Sequence, residues 1–341
     1  MSNTTNTTEI SSYLTTGLQT IAHMLTIPTA FLSLILFPFY VYVNRVNRAR
    51  DERTAIFAFT NHFYYAVKCT CTMIFIALPV GVIIGYYIYN RQLVAVLIVI
   101  ILAVLIYFIF NVITQVQHVL ITLLALQRFL LYYAPSFEPF INVSQRTMKV
   151  IISLLYVLFF TKDVLVVVGN LWAHKIRDDL KMDRLLLGQA IFYAALNGLL
   201  VLSACLYIPL TISIRKFAHL ASSIESQPQK YVFYQTVSLV IGKTIFLPAY
   251  AVMFLCTDCE DDSSSPLRVF LLYATLIDVF SMPLMIEIAY LSCNKRNIDV
   301  LLSYPIRDAL KMTLCGGEVP IPRNRVADVS VNSTTHNSVD A

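Results

Sequence analysis

Polar and apolar positions fall along this chain in long blocks. Residues 1–20 are polar and hold no Lys or Arg, and from Ile21 to Val43 the chain turns apolar. A helix crossing a bilayer needs about 20 mainly apolar residues, and it alone among open structures pairs all its backbone groups internally. Residues 21–43 meet that requirement and are read as the first span. The second is read from Cys69 to Tyr89, because Asn61, His62 and Lys68 make 54–68 a poor solute for lipid and place it at the cytoplasmic interface. The third block, Leu93 to Tyr133, is about 60 Å long at roughly 1.5 Å per residue, about twice the hydrocarbon thickness. It is either one tilted helix or two. Splitting it needs a reversal near Phe110, where no Gly or Pro stands. Read as one helix, it leaves spans four to seven at 148–169, 186–214, 231–255 and 268–290. The expected fold is an all-α membrane protein, a seven-transmembrane helix bundle over 21–290.

Beyond the last span, Ile298, Leu301, Leu302, Ile306 and Leu310 recur at helical spacing with Arg307 and Lys311 among them. Residues 291–315 therefore read as a cytoplasmic amphipathic helix on the inner leaflet, with Pro305 starting its second half. Residues 316–341, rich in Ser, Thr, Asn and Val without periodicity, read as a disordered cytoplasmic tail.

Composition supports lipid as the solvent: 57% of the 341 residues are hydrophobic and 13% charged, too little polar surface for a water-soluble fold. Charge then sets the orientation. Arg45, Arg48, Arg50 and Arg53 close the first span, and Arg215, Lys216, Lys230, Lys295 and Arg296 fall in later segments on the same side. The outer loops hold fewer basic residues, so the positive-inside rule puts the N-terminus outside and makes 1–20 an extracellular tail. That tail lacks the basic start and short apolar stretch of a cleaved signal, which leaves targeting to the first helix. Asn3-Thr4-Thr5 and Asn6-Thr7-Thr8 are glycosylation acceptors, useful only on a lumenal tail.

Of seven cysteines, Cys69, Cys71 and Cys205 sit in apolar segments and are expected to be small buried side chains. Cys256 and Cys259 share a short acidic loop placed outside, where an oxidising environment allows a local disulfide. Cys315 ends the amphipathic segment and is open to palmitoylation or to a free cytosolic thiol.

Intramembrane polar groups carry the candidate chemistry. Asn111, Gln115 and His118 lie at i, i+4 and i+7, on one face of an apolar helix. Such a face looks inward, either to bond neighbouring helices or to line a ligand cavity. Lys162, Asp163, Lys243, Asp278 and Glu287 are ionisable residues within spans, and each needs a partner or water. Lys243 and Asp278 fall at similar mid-membrane depth, so an ion pair between them is the simplest way to lower both desolvation costs. Lys162 and Asp163 are adjacent and point about 100° apart, which predicts that they do not both face one neighbour. Glu287 is placed near the cytoplasmic end, within reach of headgroup water. Pro79, Pro209, Pro248 and Pro283 stand inside spans two, five, six and seven, and each removes a backbone bond and favours a kink. No paired carboxylates, nucleophile with base, metal-ligand spacing or Gly-rich phosphate loop stands out. Neither an enzyme nor a cofactor, metal or nucleic-acid partner is expected.

The end of the third helix, Leu124-Ala125-Leu126-Gln127-Arg128-Phe129-Leu130-Leu131-Tyr132-Tyr133-Ala134-Pro135, looks like the segment in which rhodopsin-like receptors carry an acidic-Arg-aromatic triplet. More closely, it resembles the nematode serpentine receptors of class Z. So do Phe37-Pro38-Phe39-Tyr40-Val41-Tyr42-Val43 with Asn47 and Arg50-Asp51, Thr60-Asn61-His62-Phe63-Tyr64, and Pro283 to Tyr290 with Asn294-Lys295-Arg296-Asn297. The resemblance spans about residues 30–310. It implies rhodopsin-like architecture and a chemosensory G-protein-coupled receptor at the plasma membrane, including that of sensory cilia. Its partners would be a small-molecule ligand, a heterotrimeric G protein and membrane lipid. By the same resemblance Arg128, with Gln127, would hold the resting state and then meet the G protein. Three departures stand out: Gln127 replaces the acidic neighbour, Pro283 is not followed three residues later by Tyr, and the top of helix three has no Cys for the usual disulfide. Weighed against the receptor are a ligand-gated channel subunit, which would place its N-terminus inside, and a transporter, which would carry paired helix breaks in matching positions.

An outside N-terminus predicts N-glycans at Asn3 or Asn6, and glycosidase treatment of membrane fractions should then shift the gel band. An N-terminal epitope detected only after permeabilisation would reverse the orientation.

Overall fold

The structure, a computed structural model, describes residues 3–52, 57–89, 93–134, 136, 145–176, 179–217, 237, 240–241, 244, 266–292 and 295–303. Apolar residues without breaking turns carry the chain through α1 (Asn3–Asp51), α2 (Phe57–Tyr89), α3 (Leu93–Tyr133), α4 (Gln145–Lys175), α5 (Asp179–Phe217) and α6 (Pro266–Ser292). The short α7 (Lys295–Ser303) follows. Among the described residues, six helices are long and apolar enough to cross a membrane. Leu93–Tyr133 is a single helix of 41 residues. The long apolar run continues where lipid gives the backbone no alternative partner, and the polar Asn90-Arg91-Gln92 precedes it. Helix α1 begins already at Asn3, inside the polar segment 1–20, and its interior holds Pro28 and Pro38. The positions of Lys243, Pro248, Cys256, Cys259 and Cys315 lie outside the described residues, as do the side chains of Asn3 and Asn6.

Helix directions follow from connection lengths. Successive helices from α1 to α5 reverse, so α1, α3 and α5 all begin on one side of the membrane. At the other side the end of α1 meets the end of α6: Tyr290 Oη donates to Asp51 Oδ2 at 3.0 Å. Helix α6 therefore runs parallel to α1 and α5. The span read from sequence at 231–255 lies largely outside the described residues.

The tightest core lies in the inner half, where α1, α2, α3 and α6 converge. Tyr40, Phe63, Leu120, Ile121, Leu124 and Ile286 are fully buried in it. Tyr40 packs edge-on against Tyr290, with ring centroids 5.3 Å apart. The outer part of α3 instead exposes Leu97, Ile98, Ile101 and Leu105, a face suited to acyl chains.

Two expectations change here. Glu287 does not reach headgroup water: its side chain is 0% exposed, in the seam where α6 meets α1 and α2. Cys71 Sγ lies 3.7 Å from Glu287 Oε1 and 3.6 Å from Ser33 Oγ, so three helices share one small polar site. Packing of α6 against α1 and α2 turns this position away from the boundary. Of the cysteines expected to be buried, Cys71 is, while Cys69 and Cys205 are exposed. Apolar sequence marks residence in the membrane and does not separate a core face from a lipid face.

A polar latch ties α7 to the bundle. Asn47 Nδ2 donates to Asn297 Oδ1 at 2.9 Å, and Asn297 Nδ2 donates to the Tyr290 carbonyl at 2.7 Å. Loss of a buried hydrogen-bond partner costs about 1–3 kcal/mol per stranded group. Asn297→Ala removes both bonds and should lower the melting temperature of the purified protein by several degrees, with Asn47→Ala lowering it less. Unchanged melting in both variants would refute a stabilising latch.

Candidate functional site

In the outer half, α3, α4, α5 and α6 part around a cavity of about 260 Å³. One face of α3 supplies Tyr107, Asn111, Gln115 and His118, because positions four and three residues apart stack on one side of a helix. Helix α4 supplies Lys162 and Asp163, α5 supplies Phe192 and Tyr193, and α6 supplies Thr275 and Asp278, with Arg268 exposed in its first turn.

Asp163 is the hub. Its Oδ2 accepts from Asn111 Nδ2 at 3.0 Å and from Gln115 Nε2 at 3.1 Å. Its Oδ1 lies 2.6 Å from Lys162 Nζ, which also donates to Gln115 Oε1 at 3.0 Å. The same ammonium sits 4.0 Å from the centroid of the Phe192 ring, adding a cation–π contact from α5. Lys162 and Asp163 thus both face Gln115, contrary to the expectation from their 100° separation. The long Lys stem curls around its own helix and brings its charge to the neighbour that Asp163 reaches directly. A carboxylate in a membrane interior needs such compensation, and here a cation and two amides supply it together.

Opposite this cluster, Tyr193 Oη donates to Asp278 Oδ2 at 2.9 Å. Nearby, the Tyr107 and Thr275 hydroxyls are hydrogen-bonded, and Thr275 Oγ1 also donates to the Leu271 carbonyl at 2.7 Å.

Asn111, Gln115, His118 and Asp278, singled out from sequence, therefore line one cavity, and His118 is buried within it. Lys243 lies outside the described residues. Sequence reasoning missed Tyr107, Phe192, Tyr193 and Thr275. Tyr107 had a signal, since it extends the Asn111, Gln115 and His118 face by one turn. The two α5 aromatics had none, being surrounded by other apolar residues. Gln127 and Arg128 stand half-buried near the inner end of α3, and Arg128 is about 15 Å from His118 along the helix at 1.5 Å per residue. Among the described residues, no three His, Cys, Asp or Glu side chains cluster closely enough to hold a metal ion.

Comparison with known proteins agrees with the resemblance read from the third helix and its companions. A family model described as serpentine type 7TM GPCR chemoreceptor Srz matches residues 23–295. No curated protein and no solved structure matches the chain. With the matched region running from the first span through the last and into α7, the chain belongs to the Srz family of serpentine seven-transmembrane G-protein-coupled chemoreceptors.

Proposed function

We propose that this chemoreceptor acts at the plasma membrane, binds a small molecule in the outer cavity, and passes its occupancy through α3 to a heterotrimeric G protein. The observation that carries the reading is the Asp163 cluster in the cavity wall, where one carboxylate holds α3 to α4 through Asn111, Gln115 and Lys162. A ligand able to hydrogen-bond there competes for groups that also set the spacing of two helices. Binding and helix arrangement then share the same bonds, which is what a ligand needs in order to bias one bundle state over another.

Helix α3 connects the two ends. It carries the cavity face and also Gln127 and Arg128 on the inner side, where a G protein would dock. Because Gln127 replaces an acidic neighbour, Arg128 is not held by a proton-controlled carboxylate at that position. Pro209 in α5 and Pro283 in α6, with Pro248 outside the described residues, are the proposed hinges. Lys243 and Asp278 are proposed as one polar unit facing the same cavity. Glycans at Asn3 or Asn6, a Cys256–Cys259 bond and a lipid at Cys315 belong to the same reading.

The test screens receptor-expressing cells against small molecules by second-messenger output and carries active compounds into variants. Gln115→Ala and His118→Ala should weaken the response about 10- to 100-fold, the range for losing a buried polar contact worth about 1–3 kcal/mol. Arg128→Ala should keep ligand binding and surface level but lose G-protein activation. If Arg128→Ala signals normally at equal surface expression, its coupling role is wrong.

A further inference from the structure

Buried carboxyl groups in this bundle have unlike surroundings. Asp163 has an ammonium and two amides within 3.1 Å. Glu287, fully buried, has a thiol: Cys71 Sγ stands 3.7 Å from its Oε1, and Ser33 Oγ stands 3.6 Å from that sulfur. Its Oε2 is buried and meets no hydrogen-bond partner among the described residues. Ser33 is the polar group that α1 turns to this site, and Cys71 is the titratable group that α2 turns to it. Among the described residues, α3, α5 and α7 bring no charged or titratable side chain into contact with Glu287. Lys243 is the sole basic residue between 231 and 255. By sequence depth it is level with Asp278, which precedes Glu287 by about 14 Å along α6 at roughly 1.5 Å per residue.

The geometry points to Glu287 as a proton-binding site: its carboxyl holds a proton while α6 is packed on α1 and α2, and gives it to water when α6 separates from them. An ionised carboxylate in this seam would lose its water and gain one weak thiol donor, whereas a neutral acid loses far less on leaving water. A hard metal ion in the proton's place would want about six oxygen ligands. Ser33 and Glu287 are the oxygen-bearing side chains of this site among the described residues. On closing, the carboxylate takes one proton from hydronium and leaves water; on opening, water takes the proton back. Helix α6 rests on α1 and α2 through this seam, so proton and packing favour each other. Acidic surroundings therefore hold the three helices together, and alkaline ones ease them apart.

Infrared spectra of the full-length receptor in nanodiscs, taken at neutral pH in sodium or in choline salt, are compared with those of Glu287→Gln. The unaltered receptor should show a protonated-carboxyl stretch that the variant lacks, the same in either salt. Glu52→Gln, which removes an exposed carboxylate on α1, should keep the band. Melting temperatures are then followed from about pH 6 to about pH 9. Unfolding exposes a carboxyl that releases its proton, so stability falls as pH rises, by up to about tenfold in the folding equilibrium per unit. The gap between Glu287→Gln and the unaltered receptor should therefore widen with pH. Glu287→Asp keeps an acid one methylene shorter and should move the band while retaining the slope, which assigns both even if Glu287→Gln fails to assemble. A spectrum of the unaltered receptor without the band overturns the proposal, as does a band that neither substitution at Glu287 alters. Melting curves that stay parallel across the pH range overturn it too. So does a band that sodium abolishes, because a cation then neutralises the site.

Discussion

A charge placed inside a bilayer dominates whatever surrounds it, and here that charge is Asp163. Its desolvation costs several kcal/mol unless opposite charge and donors meet it. Among the described residues, the donors it finds come from α3 or its own helix: Asn111, Gln115 and Lys162. The register of α3 against α4 is thereby set. Sliding one helix by a turn, about 5.4 Å, would strand the carboxylate. Once α3 and α4 are held in this register, α5 packs along α3 and reaches the ammonium through Phe192, and α6 faces the cluster across the cavity.

The two halves of the bundle therefore differ in kind. The inner half is packed with aromatic and aliphatic side chains around Tyr40, Phe63 and Leu124, and close packing transmits displacement with little loss. The outer half is held by a few directional bonds around open space. Directional bonds can be exchanged for bonds to a solute, whereas a filled core cannot admit one. On the proposed function, ligand chemistry at the outer end and force transmission at the inner end would follow from that division.

Much of this was legible in the residue order. Block-wise hydropathy marks the spans, basic clusters orient them, and polar residues four and three apart on α3 mark the cavity face. What stayed hidden depends on which side of a helix meets lipid. Cys71 and Cys69 are two residues apart in equally apolar sequence, yet one is buried and the other exposed. Glu287 follows the same rule, since only the packing of α6 between α1 and α2 removes it from water. Lys162 and Asp163 misled for another reason: a Cα-based angle ignores the reach of a four-carbon stem. In a bilayer the hydrophobic pattern loses its inside–outside meaning, and only polar residues still report direction.

The latch between Asn47 and Asn297 joins residues 250 positions apart. At a synthesis rate of about 5–20 residues per second, that separation is roughly 10–50 s of translation. During that interval α1 sits in the membrane with Asn47 and Asp51 lacking the α7 and α6 partners that they meet in the finished bundle. The first helix inserted is thus among the last to be satisfied. A nascent receptor carries an open flank that only its own C-terminal spans can close, and any chain that stops short of them leaves that flank to the quality-control machinery of the membrane.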